Sequence, residues 1–231
     1  MCESYMRPLK LNLSPEEFES LPRNASWRYR FADGVAWIDP APVFRHARLD
    51  LNSFKPMPAG VCPVRELIED DWRNLVPVFQ RAFAPLEPFA TLPATMRFHA
   101  ADQTLLQTRA GGDGPLIAQA SYTALLGNEV AGAILVTLLP LADPERQTSY
   151  YWESPPPADC IEKKKGRPHL TWVFTDPGLG ISGTGASLLS YAVVGLKNLG
   201  FSDLFSTFIV GNHVSTAWHW KCGFQPLAKK E

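Results

Sequence analysis

Apolar and polar positions alternate in two distinct rhythms along the chain. Trp27 to Phe31 and Val35 to Ile38 flank Asp33-Gly34. Such a pair predicts a two-residue hairpin, because a type I′ turn needs positive φ at both central residues. A lone hairpin is marginal in water. Trp27, Tyr29, Phe31 and Trp37 must therefore pack on something larger, as a flap or as a pocket wall. From Val64 the rhythm changes. Val64 to Leu67 suits a short strand, and Asp70 or Asp71 can cap a helix bearing Trp72, Leu75, Val76, Phe79 and Phe83 at helical spacing. Pro77 predicts a kink there unless it falls in the first turn. A second helix is expected within Thr95 to Arg109, ending at Gly111-Gly112-Asp113-Gly114-Pro115.

A longer hairpin follows: Ala118 to Leu126, the turn Gly127-Asn128, then Glu129 to Leu138. The apolar run Val130 to Ala142 is too short to span a bilayer and reads as a buried strand. Leu141 to Pro168 has no clear period, and a loop of that length is usually functional or mobile. After it come a strand at His169 to Thr175, a glycine-rich turn and a helix striped by Leu188, Leu189, Ala192, Val193, Leu196 and Leu199. Gly200 is placed to stop that helix. Leu204 to Val210 is a further strand, and Val214 to Lys221 a last short helix ending near Gly223.

Composition narrows the functional classes. The chain has 231 residues, 22 basic against 23 acidic, so no net field favours nucleic acid. Lys163-Lys164-Lys165 is the one basic cluster and reads as a solvated loop face. Cysteines at 2, 62, 160 and 222 lack metal-ligand or disulfide-framework spacing. Residues 1–18 contain no apolar core of the secretory type, and the expectation is a soluble cytoplasmic protein without membrane contact.

The turn Pro177-Gly178-Leu179-Gly180-Ile181-Ser182-Gly183-Thr184-Gly185 carries the chemistry. A helix start with free main-chain N–H groups is an anion site, so a pyrophosphate-bearing ligand is the economical reading. Gly178-x-Gly180-x-x-Gly183 matches a dinucleotide fingerprint literally. However, Asp203 precedes the next strand instead of ending it, and only residues 184–231 remain for a doubly wound domain. A phosphate-binding P-loop is excluded because no Gly-Lys-Ser/Thr occurs.

Thr175-x-Pro177-x-x-Gly180-x-x-Gly183-x-Gly185, then Leu188-Leu189, resembles the acetyl-CoA motif of GNAT-superfamily N-acetyltransferases. Asn212-x-x-Ser215 followed by Cys222-Gly223-Phe224 resembles that family's second signature. The resemblance covers 168–225, extends weakly back to Val64, and leaves 1–60 outside. It implies an α/β domain over 61–231 with a mixed, mainly antiparallel sheet. Residues 1–60 are expected to form a β-containing extension, and the need to protect an exposed strand edge predicts that it completes the sheet or covers that edge. The resemblance also implies acetyl transfer from acetyl-CoA to a small-molecule or peptide amine, by direct attack in a ternary complex. A non-catalytic acyl-CoA-binding or sensing module is the alternative, and a homodimer is compatible with either.

The same resemblance assigns the pyrophosphate to the main-chain N–H groups of Ile181, Ser182, Gly183, Thr184, Gly185 and Ala186. It assigns the pantetheine arm to the edge at Val173 and Thr175 and to Asn212, beside a strand over 204–210 that splays away. Gly180 stands where relatives carry Gln or Arg. His219 stands where many carry the Tyr that protonates the leaving thiolate, and histidine can donate a proton near neutrality. His169 occupies a position where some relatives place a histidine on the proton route. Deprotonating a Lys-type amine at neutral pH costs about 4–5 kcal/mol, against ~1 for an α-amine. The strand 170–175 offers no carboxylate to help, Glu129 and Glu153 are weaker candidates, and an amine of modest pKa or ordered water is implied. The acceptor is expected among 85–100, the Asn128 turn and 141–168, with Tyr150, Tyr151 and Trp152 as a candidate wall.

Overall fold

A computed structural model describes residues 9–23, 27–40, 44–58, 60–141, 151–152, 154–209 and 212–227. The chain builds two sheets. The smaller contains β1 (Leu9–Asn12), β2 (Trp27–Ala32) and β3 (Val35–Pro40), in the order β1-β3-β2. Asp33 and Gly34 have φ of 52° and 73°, the geometry a type I′ hairpin requires. Between β1 and β2, α1 (Pro15–Ser20) starts with a capping box in which Ser14 and Glu17 satisfy each other's main-chain N–H.

The larger sheet has seven strands: β4 (Phe44–Asp50), β5 (Val64–Glu66), β6 (Tyr122–Leu126), β7 (Glu129–Pro140), β8 (Gly166–Thr175), β9 (Asp203–Ile209) and β10 (Gln225–Pro226). Their order is β10-β4-β9-β8-β7-β6-β5. Only the β8–β9 pair is parallel, so the sheet is mixed and mainly antiparallel. β4 comes from within residues 1–60 yet lies inside this sheet, hydrogen-bonded to β9 along seven residues.

One face of the sheet packs on α4 (Thr184–Asn198) and α5 (His213–Lys221). Leu188, Leu189, Ala192 and Leu196 are buried there against Leu49, Val136, Leu138, Leu170 and Leu204. The opposite face packs on α2 (Asp71–Phe83) and α3 (Ala94–Arg109), and the small sheet extends the same core through Leu11, Trp27 and Ile38. β7 is apolar nearly throughout because both its faces are buried. Phe79 is fully buried among Phe83, Phe89, Trp172 and Phe174, with ring centroids 4.3–5.7 Å away. That cluster fixes α2 on β8.

Several elements depart from the sequence reading. Asp70 stands at the N-cap of α2, but its side chain makes no capping bond, and Asp71 is the first helical residue. Asp71 is buried instead, holding Arg65 through bonds of 2.6 and 2.7 Å and accepting from Ile68 N–H and Thr123 Oγ1. Burial opposes its charge, but these bonds outweigh it and hold the carboxyl below the usual range. α2 also runs through Pro77 without ending. Ala118–Ala120 is a single 3-10 turn and not the start of β6. The long connection after β7 ends at Gly166, where β8 begins; residues 142–150, including Tyr150, lie outside the described residues.

Candidate functional site

β8 and β9 pair only at His169↔Phe205 and Leu170↔Ser206. Beyond these positions the two strands part. A β-bulge sits at the same level: Leu135 opposes Trp172 and Val136 opposes Leu170, so Thr171 has no partner on β7. Bulges of this kind bend a strand and re-aim its side chains. On its other edge β8 pairs with β7 at Val173 and Thr175, leaving the edge toward β9 open from Thr171 onward among the described residues.

The glycine turn stands at the end of β8. Asp176 ends the strand, accepts from the Gly178 N–H at 2.9 Å and binds Arg81 of α2 at 3.0 Å, which pins the turn to the opposite layer. Gly180 and Gly183 adopt φ of 60° and 86°, where side chains other than glycine are strained. A Cβ added at either would meet nothing within 4 Å, so the space above the turn is open. Ser187 is the first α4 residue whose N–H reaches a helix carbonyl, that of Gly183 at 2.9 Å. The N–H groups of Thr184, Gly185 and Ala186 face the helix start. Thr184 Oγ1 is buried there with no hydrogen-bond partner. Open space, free donors and an orphaned hydroxyl fit a diphosphate.

Gly185 has a separate reason to be glycine. A Cβ there would lie 3.2 Å from Trp218 Nε1 and 3.9 Å from Val173 Cγ2. The Trp218 indole thus lines the angle between β8 and the first turn of α4, backed by Phe224 at 6.1 Å. Asn212 caps α5, its Oδ1 accepting from the Ser215 N–H at 3.0 Å. That oxygen is committed to the helix, which leaves the amide NH₂ for any ligand.

His219 lies in the core. It is 3% exposed, with Nδ1 2.7 Å from the Ser215 carbonyl and Nε2 2.8 Å from Ser206 Oγ. Its ring stacks on Phe208 at 4.2 Å. Burial pushes its pKa down to about 4, so the imidazole is neutral at pH 7. The candidate acid at 219 is thus turned by α5 into the core.

His169 joins a row of polar groups on the sheet face opposite α4. Its Nε2 lies 3.2 Å from Thr207 Oγ1 of β9, which in turn lies 3.1 Å from His46 Nδ1 of β4. On the other side His169 Nδ1 meets Thr171 Oγ1 at 3.3 Å, and Thr171 meets Thr137 of β7 at 2.7 Å. Burial first, then the Arg167 charge, push the His169 pKa down to about 3, although the ring is only half-buried by surface. It too is neutral at pH 7. The hydroxyl of Thr207 can accept from one ring N–H and donate to the other ring, so the tautomers of the two histidines are linked.

A cavity of about 420 Å³ opens over this row, lined by His46, Arg48, Arg167, His169, Asp203 and Thr207 among others. His46, Arg48, Arg167 and Thr207 carried no signal in the sequence. His46 and Thr207 lie 161 positions apart, and only the β4–β9 pairing joins them. Among the described residues no three His, Cys, Asp or Glu side chains gather as a metal site, and no helix is long and apolar enough to cross a membrane.

The sequence matches no family model and no curated protein. Its shape does match solved structures. A GCN5-related N-acetyltransferase from Sphaerobacter thermophilus is similar at a TM-score of 0.52 and 11% identity, over 86% of this chain and 50% of that one. A conserved protein of unknown function from Staphylococcus epidermidis follows at 0.50 and 9%, over 80% of this chain and 58% of that one. The PaiA N-acetyltransferase from Thermoplasma acidophilum, solved with coenzyme A, gives 0.48 and 14% over 73% and 92%. This chain therefore spans about half the length of the Sphaerobacter protein. At these identities the likeness establishes architecture alone: the fold is that of the GNAT N-acetyltransferases.

Proposed function

We propose that the protein transfers an acetyl group from acetyl-CoA to an amine by direct attack in a ternary complex. The observation that carries this reading is the open glycine turn at the mouth of the parted strands. The first-turn N–H groups of Thr184, Gly185 and Ala186, with those of Ile181, Ser182 and Gly183, bind the diphosphate. The helix dipole adds ~0.3–2 kcal/mol to that interaction. The open β8 edge at Val173 and Thr175 and the Asn212 amide orient the pantetheine arm, and Trp218 walls the slot. Acetyl-CoA supplies an activated thioester: a C–N bond forms, the C–S bond breaks, the amine loses a proton and the thiolate gains one.

His169 accepts a hydrogen bond from the amine and is joined through Thr207 to His46, a row along which the proton can leave, which makes β4 part of the working site. With its pKa pushed down to about 3, the His169 ring is a weak base that passes a proton on and does not hold it. His219 acts as a brace under α5. Calorimetry with acetyl-CoA, followed by CoA release with a panel of amines, tests the proposal; absence of both signals overturns it. The burial of His219 favours one rival, a binding or sensing module that holds acyl-CoA without turnover. Tight binding with no CoA release from any amine would support that rival.

A further inference from the structure

Beside the glycine turn stands a side-chain donor that has no partner among the described residues. Building on the acetyl-CoA reading above, we infer that Trp218 is a ligand-binding residue: its indole N–H donates a hydrogen bond to a phosphate oxygen held at the start of α4.

The turn leaves anion binding mostly to its main chain. Residues 177–186 contain no lysine and no arginine. Thr184 Oγ1 is sealed beneath the first turn of α4, and Arg81 binds Asp176 from the opposite layer. Ser182 is exposed on the turn itself. Any further side-chain donor comes from another element.

Trp218 of α5 is placed to be that donor. Its Nε1 lies 3.2 Å from the point a Cβ on Gly185 would occupy, and Val173 Cγ2 lies 3.9 Å from the same point. Gly185 belongs to the first turn of α4, where main-chain N–H groups have no helix carbonyl to meet. The indole nitrogen therefore stands beside those groups, at the corner where the turn meets β8.

Its hydrogen bonding sets Trp218 apart from two other half-buried indoles. Trp152 Nε1 donates to the Leu138 carbonyl at 2.9 Å, and Trp172 Nε1 donates to Thr108 Oγ1 at 2.9 Å. A packed indole usually finds such an acceptor. Trp218 is equally half-buried, yet its Nε1 makes no hydrogen bond among the described residues, and it is not sealed from solvent as Thr184 Oγ1 is. The ring is held in place by His219, edge-on at 5.0 Å, and by Phe224 at 6.1 Å. Fixed rings on both sides keep the N–H aimed without a ligand to order it.

Indole donates and does not accept, so its partner is an oxygen with a lone pair to give. At a helix start that oxygen belongs to an anion, here the diphosphate. A carbonyl of the pantetheine arm has the same acceptor chemistry but lies further along β8, and the experiment separates the two.

Trp218→Phe keeps a ring and deletes the N–H. In the ¹⁵N-labelled full chain, the indole resonance missing from this variant is that of Trp218. Titrating the unaltered protein with inorganic pyrophosphate should move that resonance downfield, and further than any other of the seven indoles, while pantetheine leaves it in place. By calorimetry the variant should bind pyrophosphate and CoA about tenfold more weakly, the loss of one hydrogen bond to a charged group. A resonance that stays still while pyrophosphate and CoA bind overturns the inference alone, as does a shift with pantetheine only or unchanged affinity in the variant. If Trp218→Phe does not fold, the nuclear Overhauser contact between the indole N–H and the Gly185 α-protons assigns the resonance, and the titration decides. A shift with pyrophosphate but no CoA release from any amine removes the acetyl-transfer reading and leaves Trp218 as a phosphate ligand. Failure of both pyrophosphate and CoA to bind removes both.

Discussion

On one side of β8, the glycine turn offers main-chain N–H groups from a single continuous segment, 181–186. On the other, the cavity offers side chains from three strands that are far apart in sequence. The first arrangement is generic: any diphosphate meets the same donors, and only the absence of Cβ atoms is required of the sequence. The second is particular, because Arg167, His169, Thr207 and His46 face one space only once β4 has docked on β9. On the proposed acetyl-transfer reading, the turn holds what is common to many acyl donors and the cavity holds what is particular to this chain.

Four measurements break or sharpen that division. Gly183→Val puts a side chain into the open space above the turn, at a φ of 86°. Acetyl-CoA affinity should fall by about three orders of magnitude (~4 kcal/mol) while circular dichroism and cooperative unfolding persist. Unchanged affinity would remove the turn from the site.

Stability against pH comes next. His219 has its folded pKa lowered to about 4 from 6.5, so the unfolded chain binds more protons between these values. Its contribution is complete above pH 6.5 and is lost as pH falls toward 4, and His169 acts in the same direction. Urea unfolding at pH 7 and 4.5 should differ by ~2–3 kcal/mol from His219 alone. His219→Gln should flatten that dependence. An accessible, catalytic His219 would instead leave the slope unchanged and abolish turnover.

Thr207→Val deletes the hydroxyl between His46 and His169. We expect kcat to drop about tenfold (~1.4 kcal/mol) with acetyl-CoA affinity retained, and Thr207→Ser to restore it. Equal kcat for all three proteins would take the row out of the reaction. The smallest effect is Asn212→Ala, which removes the α5 cap and should cost ~1 kcal/mol in thermal or urea unfolding. A loss of acetyl-CoA affinity exceeding tenfold would show that Asn212 does more than cap.

The glycine turn, the helix after it and both hairpins were legible because their signals are local. Positive φ at Asp33-Gly34, the apolar stripe of α4 and the near-continuous apolar run of β7 each follow from backbone sterics or burial within a short window. The burial of His219 and Asp71 was not legible, for one shared reason. Local sequence says that a polar residue can act at a helix end or a helix surface. It does not say whether the helix turns that position to solvent or against Ser206 and Arg65.

By itself, then, the sequence determined the two hairpins, the helices α2 to α5, the glycine turn and the resemblance that named the fold, since all depend on neighbours a few positions apart. The tertiary structure alone decided that β4 enters the larger sheet, that His46 meets His169 through Thr207, and that Arg167 faces the same cavity. Strand pairing across some 160 residues is set by the sum of buried contacts and main-chain hydrogen bonds over the whole sheet, and no single window of sequence carries that sum.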